Sequence, residues 1–355
     1  MAIFDKILKH GESIIKDELV LDYEYLPKII KYRENEQAHI ATCIKPLFEG
    51  RQGKNLFITG SSGIGKTAAI RSIIQELEEK GLDDQVTPIY INCWKKDTPY
   101  KIALEICDQI NYKFVQNRNT DELLKEITKI LNKKTAALFF DEIDKLEDHS
   151  ILYSLLEDIY KKSIFLITND REFLSNLDNR IRSRLTPEKL EFRPYNYNEV
   201  LGIFKQRVEY AFYPNAIDKE TIELLAKKTY ELEDLRIGLF LLKEAATQAE
   251  NSSSKIISLD HANNAIKKLS TFKSNSSDNL EIEKKQILSL VKNNPNTTIT
   301  DLHKLYQESG GEKAYRTFFR YIEELEQNGL VSKEILKEGS GRSTIVKYGK
   351  KLTDF

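Results

Sequence analysis

The chain has 355 residues, 40% of them hydrophobic and 31% charged, with a formal net charge of −1. These values exclude a disordered polypeptide and leave room for two or three domains with real cores. They also exclude a uniformly basic nucleic-acid binder, so any such surface must be a local patch.

Met1-Ala2-Ile3-Phe4-Asp5-Lys6 lacks the charged-then-apolar pattern of a signal segment, and no apolar run nears the ~20 residues of a membrane span. Cys43, Cys93 and Cys107 are scattered without C-x-x-C spacing. They read as buried thiols in a reducing cytosol, not as disulfides or a zinc site. The five His are scattered as well, and no metal cluster is visible.

The first strand predicted is the apolar run Asn55-Leu56-Phe57-Ile58-Thr59. It runs into Gly60-Ser61-Ser62-Gly63-Ile64-Gly65-Lys66-Thr67, the G-x-x-x-x-G-K-[ST] phosphate-binding loop. The glycines let backbone N–H groups close around a di- or triphosphate, Lys66 reaches the outer phosphates, and the Thr67 hydroxyl suits Mg²⁺. From Ala68 to Leu77 the apolar residues recur at helical spacing, and a helix starting there aims its N-terminal N–H groups at the phosphates.

Further apolar runs follow at 88–92, 136–141, 163–168 and, weakly, 190–192, with helical patterns between them, as at 100–112 and 121–131. Strands alternating with helices imply a parallel sheet covered on both faces. The run at 136–141 ends in Asp141-Glu142, two carboxylates at a strand tip. Asp141 is suited to hold Mg²⁺, and Glu142 to orient and deprotonate an attacking water. Asn169 ends the next strand and could hold that water. Arg180, Arg182 and Arg184 form a basic cluster of the kind that stabilises a transferring phosphoryl group, often across a subunit interface.

Beyond Tyr195 only helices are predicted, over 198–212, 218–230, 234–250 and 258–269, with Asp218, Asp234 and Ser258 as N-caps. Arg236 stands near the start of one of them. The polar stretch 271–278 reads as a linker. A third unit has helices at 281–292, 298–310 and 312–328, then two strand-like segments at 330–335 and 343–348 around Gly339-Ser340-Gly341. Three helices and a Gly-tipped hairpin make the winged variant of helix-turn-helix. Lys313, Tyr315, Arg316, Thr317 and Arg320 lie opposite the apolar stripe of the third helix, and Arg342 sits at the hairpin tip, suited to an adjacent minor groove. Residues 279–355 hold 13 Lys+Arg against 11 Asp+Glu, a balance that also suits a protein partner.

In this order the phosphate loop, Asp141-Glu142, Asn169, the arginine segment and Arg236 resemble Walker A, Walker B, sensor 1, the arginine-finger box and sensor 2 of an AAA+ ATPase. More narrowly, the chain resembles archaeal replication initiators of the origin-recognition/Cdc6 type. The stretch from Tyr25 to Glu36, Ile91-Asn92-Cys93, Asp141 to Leu146, Phe192-Arg193-Pro194-Tyr195 and the terminal winged unit carry that resemblance. It implies an α/β fold: an AAA+ parallel-sheet P-loop domain (1–195) with a helical lid (196–270), then a winged-helix domain (279–355).

The resemblance also implies ATP/ADP and Mg²⁺ as ligands, with Gly60 to Ala68 around the phosphates and Ile30, Tyr32 and Arg33 against the adenine. Slow, switch-like hydrolysis, binding to origin duplex DNA, recruitment of a replicative helicase, self-association or pairing with a paralogue on DNA, and a place on the nucleoid in the cytoplasm are implied too. Sensor 2 of the family usually follows Gly-Asp-x-Arg, where this chain has Glu233-Asp234-Leu235-Arg236. The interval from Asp144 to Ser163 is short, implying a trimmed DNA- or partner-facing loop. Arg184 stands in a Ser-Arg pair like that of clamp loaders, while Arg180 fits the initiator pattern, so both stay open as the finger. Two rival readings are an ATP-gated regulator that grips a protein or a promoter, and a loader-type subunit that acts only within a ring.

Overall fold

The computed structural model of the protein describes residues 13–278, 282–295, 297–311, 313–327, 330–338 and 341–348. The chain divides into two compact units, Met1–Ile266 and Lys267–Phe355. Among the described residues no helix is long and apolar enough to cross a membrane.

The first unit is built on five parallel strands: β1 (Leu56–Thr59), β2 (Val86–Asn92), β3 (Thr135–Asp141), β4 (Lys162–Thr168) and β5 (Glu188–Glu191). They lie in the order β2-β3-β4-β1-β5. The central strands β1, β3 and β4 are buried at every position, as expected of strands covered on both faces. Pro88 is tolerated inside β2 because β2 is an edge strand.

Alternate side chains feed two cores. Ile58, Phe139 and Phe165 pack with Ile40 and Ile44 of α1 (Glu34–Phe48) and Ile70 and Ile73 of α2 (Lys66–Glu79). Leu138, Phe140 and Leu166 face the other way. They meet α3 (Pro99–Gln109), α4 (Thr120–Leu131), α5 (Ser150–Asp158), α6 (Phe173–Asn176) and α7 (Asn179–Leu185). The local signals that start these helices are plain. Thr98 caps α3 with Pro99 in the first turn, and Asn119 and Glu122 form a capping box for α4.

Helices α8 (Tyr197–Ala211), α9 (Lys219–Leu232), α10 (Leu235–Asn251) and α11 (Leu259–Asp278) follow. Phe204, Leu225, Leu241, Leu242 and Ala245 are buried among them. Asp234 caps α10 by accepting from the Arg236 N–H, whereas Asp218 makes no capping bond to α9. This helical group, up to Ile266, forms one compact unit with the sheet. The N-terminal segment helps to hold it. Lys16 N–H donates to Ala211 O (2.8 Å), and Val20 and Leu21 are buried. Arg207 of α8 donates to Val20 O (2.8 Å) and Tyr25 O (3.3 Å).

The second unit has helices α12 (Ile282–Asn293), α13 (Ile299–Glu308) and α14 (Tyr315–Gln327). Its antiparallel sheet has the order β6 (Thr297–Thr298), β8 (Gly341–Tyr348), β7 (Val331–Glu338). The core is Ile287, Val291, Leu302, Tyr306, Phe318, Ile322, Leu325, Val331 and Val346. The expected three helices and hairpin are there. The two-residue strand β6 was not foreseen, because Thr297-Thr298 is too short to show a period. Gly339 and Ser340 of the hairpin tip and the Arg342 side chain lie outside the described residues.

Candidate nucleotide site and nucleic-acid interface

The sheet register sets the site. Asn92 lies opposite Asp141, Asp141 opposite Ile167, and Thr59 opposite Thr168, so the tips of β2, β3, β4 and β1 end at one edge. Ligands of open α/β sheets bind at such carboxyl ends. The phosphate loop leaves β1 there. Gly63 and Gly65 take positive φ (73° and 92°), and α2 starts at Lys66. Because β4 separates β3 from β1, Asn169 sits between the acidic tip and the loop, as expected.

Lys66 is only 8% exposed. Its ammonium donates to Gly60 O (2.7 Å), Ser61 O (2.8 Å) and Asn169 Oδ1 (2.6 Å). Burial lowers its pKa to about 8, against the pull of Asp141 and with help from Arg236. Thr67 Oγ1 donates to Asp141 Oδ2 at 2.6 Å. The same oxygen accepts from Tyr90 OH (2.7 Å), a β2 residue over which Arg71 stacks at 5.2 Å. Glu142 follows in a left-handed conformation (φ 54°), its N–H bonded to Asp141 Oδ1 at 3.0 Å. Burial, then Asp141 and Asp144, push its carboxyl above the ordinary value, which suits a general base.

The helical group closes directly on the loop. Leu235 N–H donates to Gly63 O (3.1 Å) and Arg236 Nη2 to Ser62 Oγ (2.8 Å). Asp234 holds Arg236 at 2.7 Å. A Cβ at position 63 would lie 2.0 Å from the Asp234 carboxylate, so only glycine admits this approach. Glu233 occupies the family's glycine position in left-handed geometry (φ 52°), capping α9. That conformation is why glycine is favoured there.

A cavity of about 290 Å³ opens at this junction. Its walls include the loop from Ser62 to Ala68, Asp141, Glu142, Asn169 and Arg236, together with Tyr23, Tyr25, Leu26, Tyr90, Arg207 and Leu239. Ile30, Tyr32 and Arg33 do not line it, which corrects their expected place against a base. Arg33 is fully buried instead. It donates to Ile64 O (2.9 Å) and Arg193 O (2.7 Å), pairs with Glu36 (2.9 Å) and stacks on Tyr195 at 3.9 Å. It braces the loop from beneath. The cavity is lined instead by residues upstream in the same segment, the exposed Tyr23 and the half-buried Tyr25 and Leu26. Tyr25-Leu26-Pro27 was the available signal.

The three arginines of α7 lie outside this cavity. Arg180 is 77% exposed and paired with Asp178, Arg182 bonds Asn179, and Arg184 pairs with Glu157 (2.6 Å) and stacks on Tyr153. In the second unit Arg316 is exposed and makes no ion pair among the described residues. Tyr315 is exposed, Thr317 is half-buried, and Arg320 faces Glu324 at 3.7 Å. Lys313 is held by Glu283 at 3.0 Å.

A parallel five-stranded sheet with a phosphate loop, an acidic strand tip and a helical lid defines an AAA+ ATPase. The AAA domain model matches residues 50–177, and the model for the Cdc6 AAA+ ATPase-type lid domain matches 201–267. The chain is 32% identical to ORC1-type DNA replication protein 1 of Sulfurisphaera tokodaii, over 74% of this chain and 69% of that protein. It is 30% identical to its namesake in Sulfolobus acidocaldarius, over 98% and 92%. The fold matches the Aeropyrum pernix ORC1 protein solved in complex with DNA, with TM-score 0.73, 25% identity, and 96% and 95% of the two chains covered. The chain belongs to the family of ORC1-type DNA replication proteins.

Proposed function

We propose that the protein is an ATP-switched replication initiator that binds origin duplex DNA through its winged unit and helps recruit a replicative helicase. The observation that carries this is the lid seated on the phosphate loop through Asp234, Leu235 and Arg236. A phosphate at the loop competes for Lys66 and Arg236, so nucleotide state is transmitted to the lid.

Lys66 exchanges its carbonyl and Asn169 partners for phosphate oxygens. Thr67 and Asp141 suit Mg²⁺. Their oxygens already face each other at 2.6 Å, and hard cations take such oxygen ligands. The ion, when bound, neutralises charge on the phosphates. Glu142 takes the proton of the attacking water while Asn169 orients it. Turnover is slow and acts as a switch. Arg180 and Arg184 remain the candidates to reach a neighbouring subunit's phosphate. Lys313, Tyr315, Arg316, Thr317, Arg320 and Arg342 contact DNA. Relatives named as DNA replication proteins, and a DNA complex of a 25%-identical protein, support the reading.

A genome-wide footprint of the wild-type protein and of Lys66→Ala tests it. The expected result is one principal peak beside a replication start, lost or blurred in the variant. Dispersed promoter peaks would replace the initiator with a regulator. No binding without other subunits would favour a loader.

A further inference from the structure

His39 and Cys43 stand one turn apart on α1, so both project from the same face. β5 brings Glu188 to them from 149 residues away, with His39 Nε2 and Glu188 Oε2 at 2.9 Å. One imidazole nitrogen, the Cys43 sulfur and a Glu188 oxygen all lie within 4.8 Å of one another. Cys43 is buried in the core beneath α1, while His39 and Glu188 are part-exposed at 36% and 43%. Lys54 Nζ donates to Glu188 Oε1 at 2.8 Å, which leaves Oε2 turned to His39.

Hydrogen bonds among His39, Glu188 and Lys54 account for the imidazole and the carboxylate. They do not account for a sulfur within reach of both. Nitrogen, sulfur and oxygen donors together are a ligand set for a borderline-soft divalent ion, which Zn²⁺ binds at about 2.0–2.3 Å in tetrahedral geometry. Hard ions such as Mg²⁺ take oxygen ligands and do not fit. Three donors within 4.8 Å of one another can converge on one ion, with the part-exposed side open to a fourth ligand.

We infer that His39, Cys43 and Glu188 form a Zn²⁺ site that clips α1 to the edge strand β5. On binding, the thiol releases its proton to solvent and the sulfur bonds the metal. Lys54, bonded to the second carboxylate oxygen, supports the ligand from outside. The clip joins two segments that flank the phosphate loop. α1 follows Arg33, bonded to Ile64 O, and β5 leads to Phe192, whose N–H bonds Thr59 O.

The test uses the reduced full chain, stripped with a chelator and titrated with Zn²⁺ alone against a chromophoric chelator, with Co²⁺ as the spectroscopic probe. The expected result is one Zn²⁺ per chain, retained in excess Mg²⁺, and a thiolate-to-Co²⁺ charge-transfer band. Cys43→Ser should abolish the band and weaken Zn²⁺ by more than about 100-fold, and Lys54→Met should weaken it by about 10-fold. His39→Gln and Glu188→Gln, at part-exposed positions, should weaken Zn²⁺ with folding and ATP affinity intact. Cys93→Ser is the control, because the Cys93 N–H bonds Asp141 O at the acidic tip. It should keep the band. Absence of stoichiometric Zn²⁺, Co²⁺ bound without a thiolate band, or a band that persists in both Cys43→Ser and His39→Gln would each overturn the site.

Discussion

Lys66 and Lys313 both hold an intramolecular partner, yet the regions around them differ in kind. Lys66 is buried, its charge disfavoured by desolvation, and bonded to backbone carbonyls and Asn169. Lys313 pairs with a single half-exposed carboxylate, and its neighbours Arg316 and Arg320 are open to water. Exposed pairs are worth only ~0–1 kcal/mol and are screened by salt. A phosphate at Lys66 therefore meets a buried lysine held by the loop's own carbonyls, whereas DNA, on the proposed reading, meets exposed cations at the winged face. The nucleotide site should respond to single changes sharply, and the DNA face by degrees.

The hardest test of that contrast is Glu142→Gln. It should leave ATP affinity within about threefold and cut single-turnover hydrolysis by about 10²-fold or more, the contribution of a general base. Unchanged hydrolysis would remove Glu142 from the site and weaken the sharp side of the comparison. Next is Arg33→Ala, which strips the loop's brace and leaves Ile64 O, Arg193 O and Glu36 without their partner. A loss of about 3 kcal/mol in denaturant unfolding is expected. A loss below about 1 kcal/mol would show that the loop holds itself.

On the winged face, Arg316→Ala should weaken duplex binding by severalfold, about 1 kcal/mol, and lower the slope of log affinity against log salt by about 1. A loss as steep as that at the nucleotide site would erase the distinction. The smallest effect is protonic. The unfolded lysine titrates at its ordinary value and the folded Lys66 at about 8. Above pH 8 the unfolded chain thus binds more protons, and nucleotide-free stability gains with pH until the ordinary value is reached. Phosphate favours the charged lysine, so ATP affinity should fall as pH rises through 8. Calorimetry at pH 8 in buffers of different ionisation enthalpy should show uptake of about half a proton per ATP. No uptake would mean that Lys66 is already fully charged.

Much of the site was legible because its parts are contiguous. Gly60 to Thr67 must be a loop between strand and helix whatever surrounds it, since the left-handed positions at Gly63 and Gly65 and the helix start at Lys66 are local demands. Asp141-Glu142 and Asn169 were legible for the same reason, as polar residues ending apolar runs. Arg33 was misplaced because only Glu36 among its partners is near it in the chain. Its carbonyl acceptor Arg193 O lies 160 residues away. Tyr90 was missed because one polar group on a half-buried strand has no signature until β3 lies beside it. Helix α1 escaped notice with Pro46 in its last turn.

Sequence by itself determined the parallel sheet, most of the helices around it and the phosphate loop between strand and helix. Each depends on periodicity or on backbone needs within a few residues. Only the tertiary structure decided that the lid is seated on Gly63, that Tyr23 and Tyr25 line the cavity, and that His39 and Cys43 meet Glu188. Side chains so far apart in the chain are brought together by strand order and register, and composition carries no trace of that.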